Sequence, residues 1–264
     1  MTLTIGDGPF AGRTHHGALN FDLDGASPKH QLFLSDYPLR LRATVAGRTV
    51  LDTRGARLLH ETGILPQPYA PLEDYDRSLL EATETVTHCP FKGDASYWTL
   101  RVDGEERADA LWTYETPQPE SSWLKGYGCL YWDRVDEWWV EDERQAGHLR
   151  DPFHRVDVLE SSRHVVVRAG AMVVAETSRP KLIFETGLPV RAYVPRADVS
   201  VALEPSDTRS VCPYKGHASY WHAVVDDRRL TDAAWSYEVA LPEAKEARGH
   251  VCFDLGEGLE VEVG

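Results

Sequence analysis

The chain has 264 residues, enough for one large domain or two small ones with a real core. Its 42% hydrophobic and 27% charged residues are those of a folded globular protein and exclude an intrinsically disordered one. The formal net charge is −14 with no basic run, which argues against a nucleic-acid partner.

The N-terminal stretch MTLTIGDGPFAGRTHHGALN lacks a basic segment followed by an apolar one, so it does not read as a secretory signal. No apolar run approaches the roughly 20 residues of a membrane span, so no membrane partner is expected. Four cysteines, at 89, 129, 212 and 252, form no C-x-x-C pair, which suits a reducing, cytoplasmic compartment.

Strand signals dominate in chain order. RATVAGRTVLDT (42–53) reads as two strands around a glycine turn, and ASYWTLRVDGEER turns at Asp103-Gly104. Trp98, Leu100 and Val102 then share one face at period two, and ALWTY (110–114) puts Trp112 and Tyr114 on a common face. YGCLYW (127–132) is a later strand. DRVDEWWVEDERQ (133–145) places Val135, Trp138 and Trp139 at helical spacing and predicts a helix at a junction, packing one half on the other. HVVVRAGAMVVAET (164–177), AAWSY (233–237) and HVCFDL (250–255) repeat the strand signals, and Trp221, Ala223 and Val225 repeat the apolar face.

These likenesses are an internal repeat. HCPFKGDASYWTL (88–100) is rewritten as VCPYKGHASYWHA (211–223). Cys89, Lys92, Trp112, Tyr114, Gly126 and Cys129 match Cys212, Lys215, Trp235, Tyr237, Gly249 and Cys252 at an offset of 123. Glu61, Tyr69, Pro71 and Asp74 match Glu185, Tyr193, Pro195 and Asp198 at 124. A period above 100 residues means whole domains rather than a solenoid. The expected organisation is a first β module with an N-terminal extension over 1–140, a linker over 141–155 and a second module over 156–264. Such a chain is expected to be a monomer with an internal pseudo-two-fold, or a weak homodimer.

The C-P-x-K-G-x-A-S-Y-W stretch, a later D-A-x-W-x-Y, then G-x-x-x-x-Y, and the upstream E-x-x-x-x-x-x-x-Y-x-P-x-x-D resemble the bacterial domain of unknown function 427 family, here in tandem form. The resemblance covers about residues 35–264. It implies a mainly β chain: two tandem repeats of a small antiparallel β-tent-like domain with few short helices. Some members of that family carry a nucleotidyltransferase label. This chain has neither a phosphate-cradling glycine loop before a helix nor a closely spaced Asp pair for magnesium, so its motifs do not support that activity.

Lys92 and Lys215 are the candidate catalytic residues. Proline and glycine fix their turn, so each lysine is delivered rigidly, as a clamp for an anionic group or as a base or nucleophile. If functional, they should be replaceable by methionine within about 0.5 kcal/mol, as at an ordinary surface position. Glu61 and Glu185, Tyr69 and Tyr193, Trp112 and Trp235, and Tyr114 and Tyr237 are candidate binding residues of a Lys/Glu/Tyr/Trp pocket in each module. Cys89 and Cys212 join them as thiols beside a lysine. His88 has no counterpart, since Val211 stands there. Arg40 and Arg163 are candidate partners for the repeated acids, including Asp74 and Asp198. The histidines do not correspond between the copies and no cysteine knuckle is present, so no metal and no cofactor are expected. Two readings remain: a site for a small polar or anionic metabolite in each module, or a structural or protein-interaction module whose motif builds only a turn and a core.

Overall fold

Alternation at period two organises the molecule. The computed structural model describes residues 30–254, 256 and 258–264; the N-terminal extension lies outside the described residues. Packing divides the chain between Leu149 and Arg150.

The first unit contains β1 (Leu32–Asp36), β2 (Leu41–Val45), β3 (Arg48–Thr53), β4 (Arg57–Glu61), β5 (Ile64–Pro71), β6 (Leu80–Cys89), β7 (Gly93–Val102), β8 (Glu105–Thr113), β9 (Tyr127–Leu130), β10 (Glu137–Val140) and β11 (Glu143–Arg144). A seven-stranded sheet runs β1-β4-β5-β9-β8-β7-β6, and a small sheet runs β11-β10-β2-β3.

The second unit contains β12 (Val156–Glu160), β13 (Val165–Ala169), β14 (Met172–Thr177), β15 (Lys181–Glu185), β16 (Arg191–Pro195), β17 (Ala202–Cys212), β18 (Gly216–Val225), β19 (Arg228–Ala240), β20 (His250–Phe253) and β21 (Leu259–Val263). Its sheets run β12-β15-β16-β20-β19-β18-β17 and β14-β13-β21. The large sheets correspond strand for strand, all pairs are antiparallel, and the helical segments are short 3-10 turns. The chain is therefore mainly β and built of two like modules.

Turn chemistry sets the hairpins. Asp103-Gly104 has φ of 48° and 88°, the two positive values that a tight two-residue hairpin demands. Ala46-Gly47 does the same between β2 and β3, with 51° and 74°.

The seven-stranded sheet packs apolar side chains on both faces, but against different partners. In the first module Leu58, Ala70, Trp98, Leu100, Leu111 and Leu130 point toward the small sheet and pack with Leu41, Ala43 and Val50. Their chain neighbours Leu59, Tyr69, Tyr97, Trp112 and Cys129 fall on the opposite face, as the pleat requires. Leu124 and Trp123, from the 3-10 turn Pro119–Leu124, cover part of that second face. The second module repeats the split, with Ile183, Tyr193, Tyr220, Trp235 and Cys252 opposite the core face.

The expected helix over 133–145 is absent. Trp132–Arg134 is a single 3-10 turn, and β10 pairs antiparallel with β2, from Glu137 opposite Thr44 to Val140 opposite Leu41. Two forces override the helical spacing. The free edge of β2 needs ladder partners, and Glu141 takes φ of 48°, which no helix interior tolerates. Trp138 is buried in the first module's own core, stacked on Trp132 at 4.5 Å and 6°. This stretch is thus a strand of the first module rather than a joining helix.

Candidate functional site

Each module places one cleft on the face of its large sheet that turns away from the small sheet. Residues two apart on neighbouring strands line it: Leu59 and Glu61 on β4, Gln67 and Tyr69 on β5, Tyr97 on β7, and Trp112 with Tyr114 at the end of β8. The cleft measures about 450 Å³ and Lys92 lies in its wall. The second-module cleft, about 320 Å³, has Ile183, Glu185, Arg191, Tyr193, Tyr220, Trp235 and Tyr237 at the equivalent places, with Lys215 in the wall.

The C-P-x-K-G turn explains how the lysines arrive there. Lys92 N–H donates to the Cys89 carbonyl, and the Lys92 carbonyl accepts from Gln118 N–H at 3.0 Å. Leu241 N–H does the same to the Lys215 carbonyl. Gly93 and Gly216 then reverse the chain with φ of 98° and 102° and lie against neighbouring backbone. A Cβ on Gly93 would sit 3.2 Å from the Thr116 carbonyl oxygen, and one on Gly216 only 2.4 Å from that of Val239. Both conditions exclude a side chain.

The lysine so positioned is buried, with Lys92 at 8% exposure. Its ammonium pairs with Glu61 Oε2, and Lys215 pairs with Glu185 Oε2. The other carboxylate oxygen of each glutamate bonds a histidine: His30 Nε2 to Glu61 and His154 Nε2 to Glu185, both at 2.9 Å. A carboxylate buried in this way is tolerable because both oxygens are bonded and one partner is a cation. At Glu185 burial pushes the carboxyl upward, but the His154 hydrogen bond and the Lys215 charge outweigh it and hold the group below its usual range. The histidine rings lie against the residue before the lysine, His30 on Phe91 at 3.9 Å and His154 on Tyr214 at 4.1 Å.

An aromatic wall completes the cleft. Trp112 Nε1–H donates to Tyr69 Oη at 3.0 Å, and Trp235 Nε1–H to Tyr193 Oη at 2.9 Å. The Lys92 ammonium stands 5.8 Å from the centre of the Tyr114 ring. Burial pushes the hydroxyls of Tyr69, Tyr114, Tyr193 and Tyr237 above their ordinary range, so they face the cleft as neutral donors and acceptors.

The structure therefore brings together the lysines, glutamates, tyrosines and tryptophans singled out in the sequence, and leaves other candidates apart. Cys89 and Cys212 are half-buried behind the aromatic cluster and do not line the clefts. Cys129 and Cys252 are buried, and burial pushes the Cys252 thiol up to about 12. All four are free thiols. Asp74 accepts from Thr53 Oγ1 at 2.6 Å and Asp198 from Thr177 Oγ1 at 2.7 Å, which pins turns outside the clefts. The acids do not use the expected arginines: Arg40 pairs with Asp52, and Asp198 pairs with Arg179 rather than Arg163. His88 bonds Asp94 at 2.6 Å, not Cys89. Among the described residues, no group of three or more His, Cys, Asp or Glu side chains is placed to hold a metal ion. Among the described residues no helix is long and apolar enough to cross a membrane.

Two corrections concern the site itself. The lysines are not surface residues, because ion pairing and burial fix them. Two histidines do correspond between the copies: His30 and His154 stand at the same offset of 124 as the glutamates they bond. That offset, carried upstream past β1 and β12, is the signal that would have found them.

The family model described as Domain of unknown function (DUF427) matches residues 34–141 and, a second time, residues 157–263. The chain belongs to this family. Its two DUF427 modules coincide with the two copies of the His–Glu–Lys arrangement, whose histidines lie just ahead of each matched segment. No curated protein sequence matches the chain significantly.

Proposed function

We propose that each DUF427 module binds a small polar or ionic metabolite in its Lys/Glu/Tyr/Trp cleft. One observation carries this reading: both modules set the same buried lysine–glutamate pair, backed by histidine, into the wall of a cleft with the same hydrogen-bonded Trp–Tyr pair. A core needs apolar contacts and does not call for a charged pair facing a cavity. Cleft volumes of 450 and 320 Å³ fall within the range of small-molecule sites. An ammonium bonded to a carboxylate has no free lone pair, so the geometry favours a lysine that anchors a ligand electrostatically over one that attacks it.

The test is a thermal-shift screen of polar and anionic metabolites on the wild type and on the paired variants Glu61→Gln/Lys92→Met and Glu185→Gln/Lys215→Met. Removing both partners avoids leaving one buried charge alone, so the variants should fold. A ligand at a hundred times its Kd stabilises by about 2.7 kcal/mol, which raises Tm by several degrees. That shift should shrink in the variant of the occupied module. Ligands that shift the wild type and both variants equally would instead make the polar trio a structural clasp, and the interaction-module reading would take its place.

A further inference from the structure

The two clefts share their Glu, Lys, Tyr and Trp side chains but differ elsewhere in their linings. Gln67 and Tyr131 in the first module are replaced by Arg191 and Asp254 in the second. Resting on the binding-cleft reading above, we infer that the second cleft is selective for a small ligand carrying one carboxylate on a planar ring, with Arg191 as its carboxylate-binding residue.

Arg191 sits two residues before Tyr193 on β16, so its side chain leaves the same face of the sheet as the site tyrosine. Its guanidinium carbon lies 5.7 Å from the centre of the Trp235 ring. Among the described residues its guanidinium forms no hydrogen bond or ion pair. Lys215 shares its charge with Glu185, whereas Arg191 keeps its guanidinium donors open and adds a second cation to this cleft. A guanidinium held near an aromatic ring presents parallel N–H groups that match a carboxylate, which lysine cannot do. Trp235 and Tyr237 then offer apolar surface to the body of the ligand. Asp254 is exposed at the mouth of the same cleft and disfavours a second negative charge, which separates a monocarboxylate from a phosphate dianion.

The first cleft has no arginine in its lining. Gln67 is turned onto the Leu65 carbonyl at 2.9 Å, and Tyr131 packs on Trp112 at 4.4 Å, so its mouth is aromatic and carries no arginine; the charge there is the exposed Asp133.

The experiment follows tryptophan indole N–H signals of the full chain by NMR during titration with benzoate, benzamide and inorganic phosphate. Benzoate should move the Trp235 signal and bind at least tenfold more tightly than benzamide, with phosphate weaker still. Arg191→Gln installs the residue of the first copy and should abolish the benzoate preference while the other indole signals stay in place. Gln67→Arg should bring a benzoate response to Trp112. Unchanged preference in Arg191→Gln, equal binding of benzoate and benzamide, or phosphate binding more tightly than benzoate would each overturn the inference while leaving the clefts as binding sites. If no probe moved Trp112 or Trp235, the inference and the binding-cleft reading would fall together.

Discussion

The two clefts share their walls and differ at their mouths. In each, Glu and Lys form a buried pair, a histidine bonds the second carboxylate oxygen, and a Trp indole bonds a Tyr hydroxyl. At the mouth, Gln67 and Tyr131 of the first cleft stand where Arg191 and Asp254 stand in the second, and Asp133 also borders the first. The support behind the lysine differs as well. His30 stacks on the exposed Phe91, whereas His154 lies against the buried Tyr214, whose hydroxyl accepts from Asp151 N–H at 2.5 Å. The comparison teaches that the polar trio is constrained by its own chemistry. A buried carboxylate needs all its partners at once, so none can change alone. The mouth residues touch solvent and can change without such a cost.

The largest expected effect comes from breaking the trio. Lys92→Met or Lys215→Met alone leaves a buried glutamate without its cation, which costs about 4 kcal/mol for a buried pair. Chemical denaturation of the full chain should show this for both modules, and the double Glu→Gln/Lys→Met variants should recover most of the loss. A single Lys→Met that cost less than about 1 kcal/mol would mean that the pair is not desolvated as the geometry indicates.

The glycines separate the modules next. Gly216→Ala should destabilise by about 3 kcal/mol, the upper end for strained backbone, because its Cβ would meet the Val239 carbonyl at 2.4 Å. Gly93→Ala should cost about 1–2 kcal/mol, since its nearest contact is 3.2 Å. Equal losses in denaturation midpoints would show that the two turns relax to the same shape.

The smallest effect is a pH dependence. The Glu185 carboxyl is held below its ordinary range, so the folded state binds this proton less readily than the unfolded chain does. Its contribution is fully present above the ordinary glutamate range, about 4.3, and is lost as pH falls through the lowered folded value. Glu185→Gln should therefore make stability less sensitive to acid. An acid limb as steep as that of the wild type would assign the loss to other carboxylates.

Much of the site was legible because the chain is written twice. Lys92, Glu61, Trp112 and Tyr114 stand out against Lys215, Glu185, Trp235 and Tyr237, and period two places the aromatic pairs on one face. The histidines were not legible in the same way. Both lie upstream of the motif-bearing stretch, and only their shared offset of 124 sets them apart from surface histidines. Arg191 was equally silent, since a difference between copies carries no signal until a cavity makes it matter.

The sequence by itself determined the duplication, the strand alternation that gives each sheet two faces, and the turn that fixes each lysine. These are local properties, set by side-chain period and by the backbone preferences of proline and glycine. Tertiary structure alone decided that Glu137–Val140 is a strand, because an open edge of β2 outweighs helical spacing. It also decided which charges meet. His30, Glu61 and Lys92 stand 31 residues apart at each step, and only the register of β1 on β4 and the closure of the turn between β6 and β7 bring them into one bonded row. Strand register is a cooperative outcome of the whole sheet, and no local stretch of the chain encodes it.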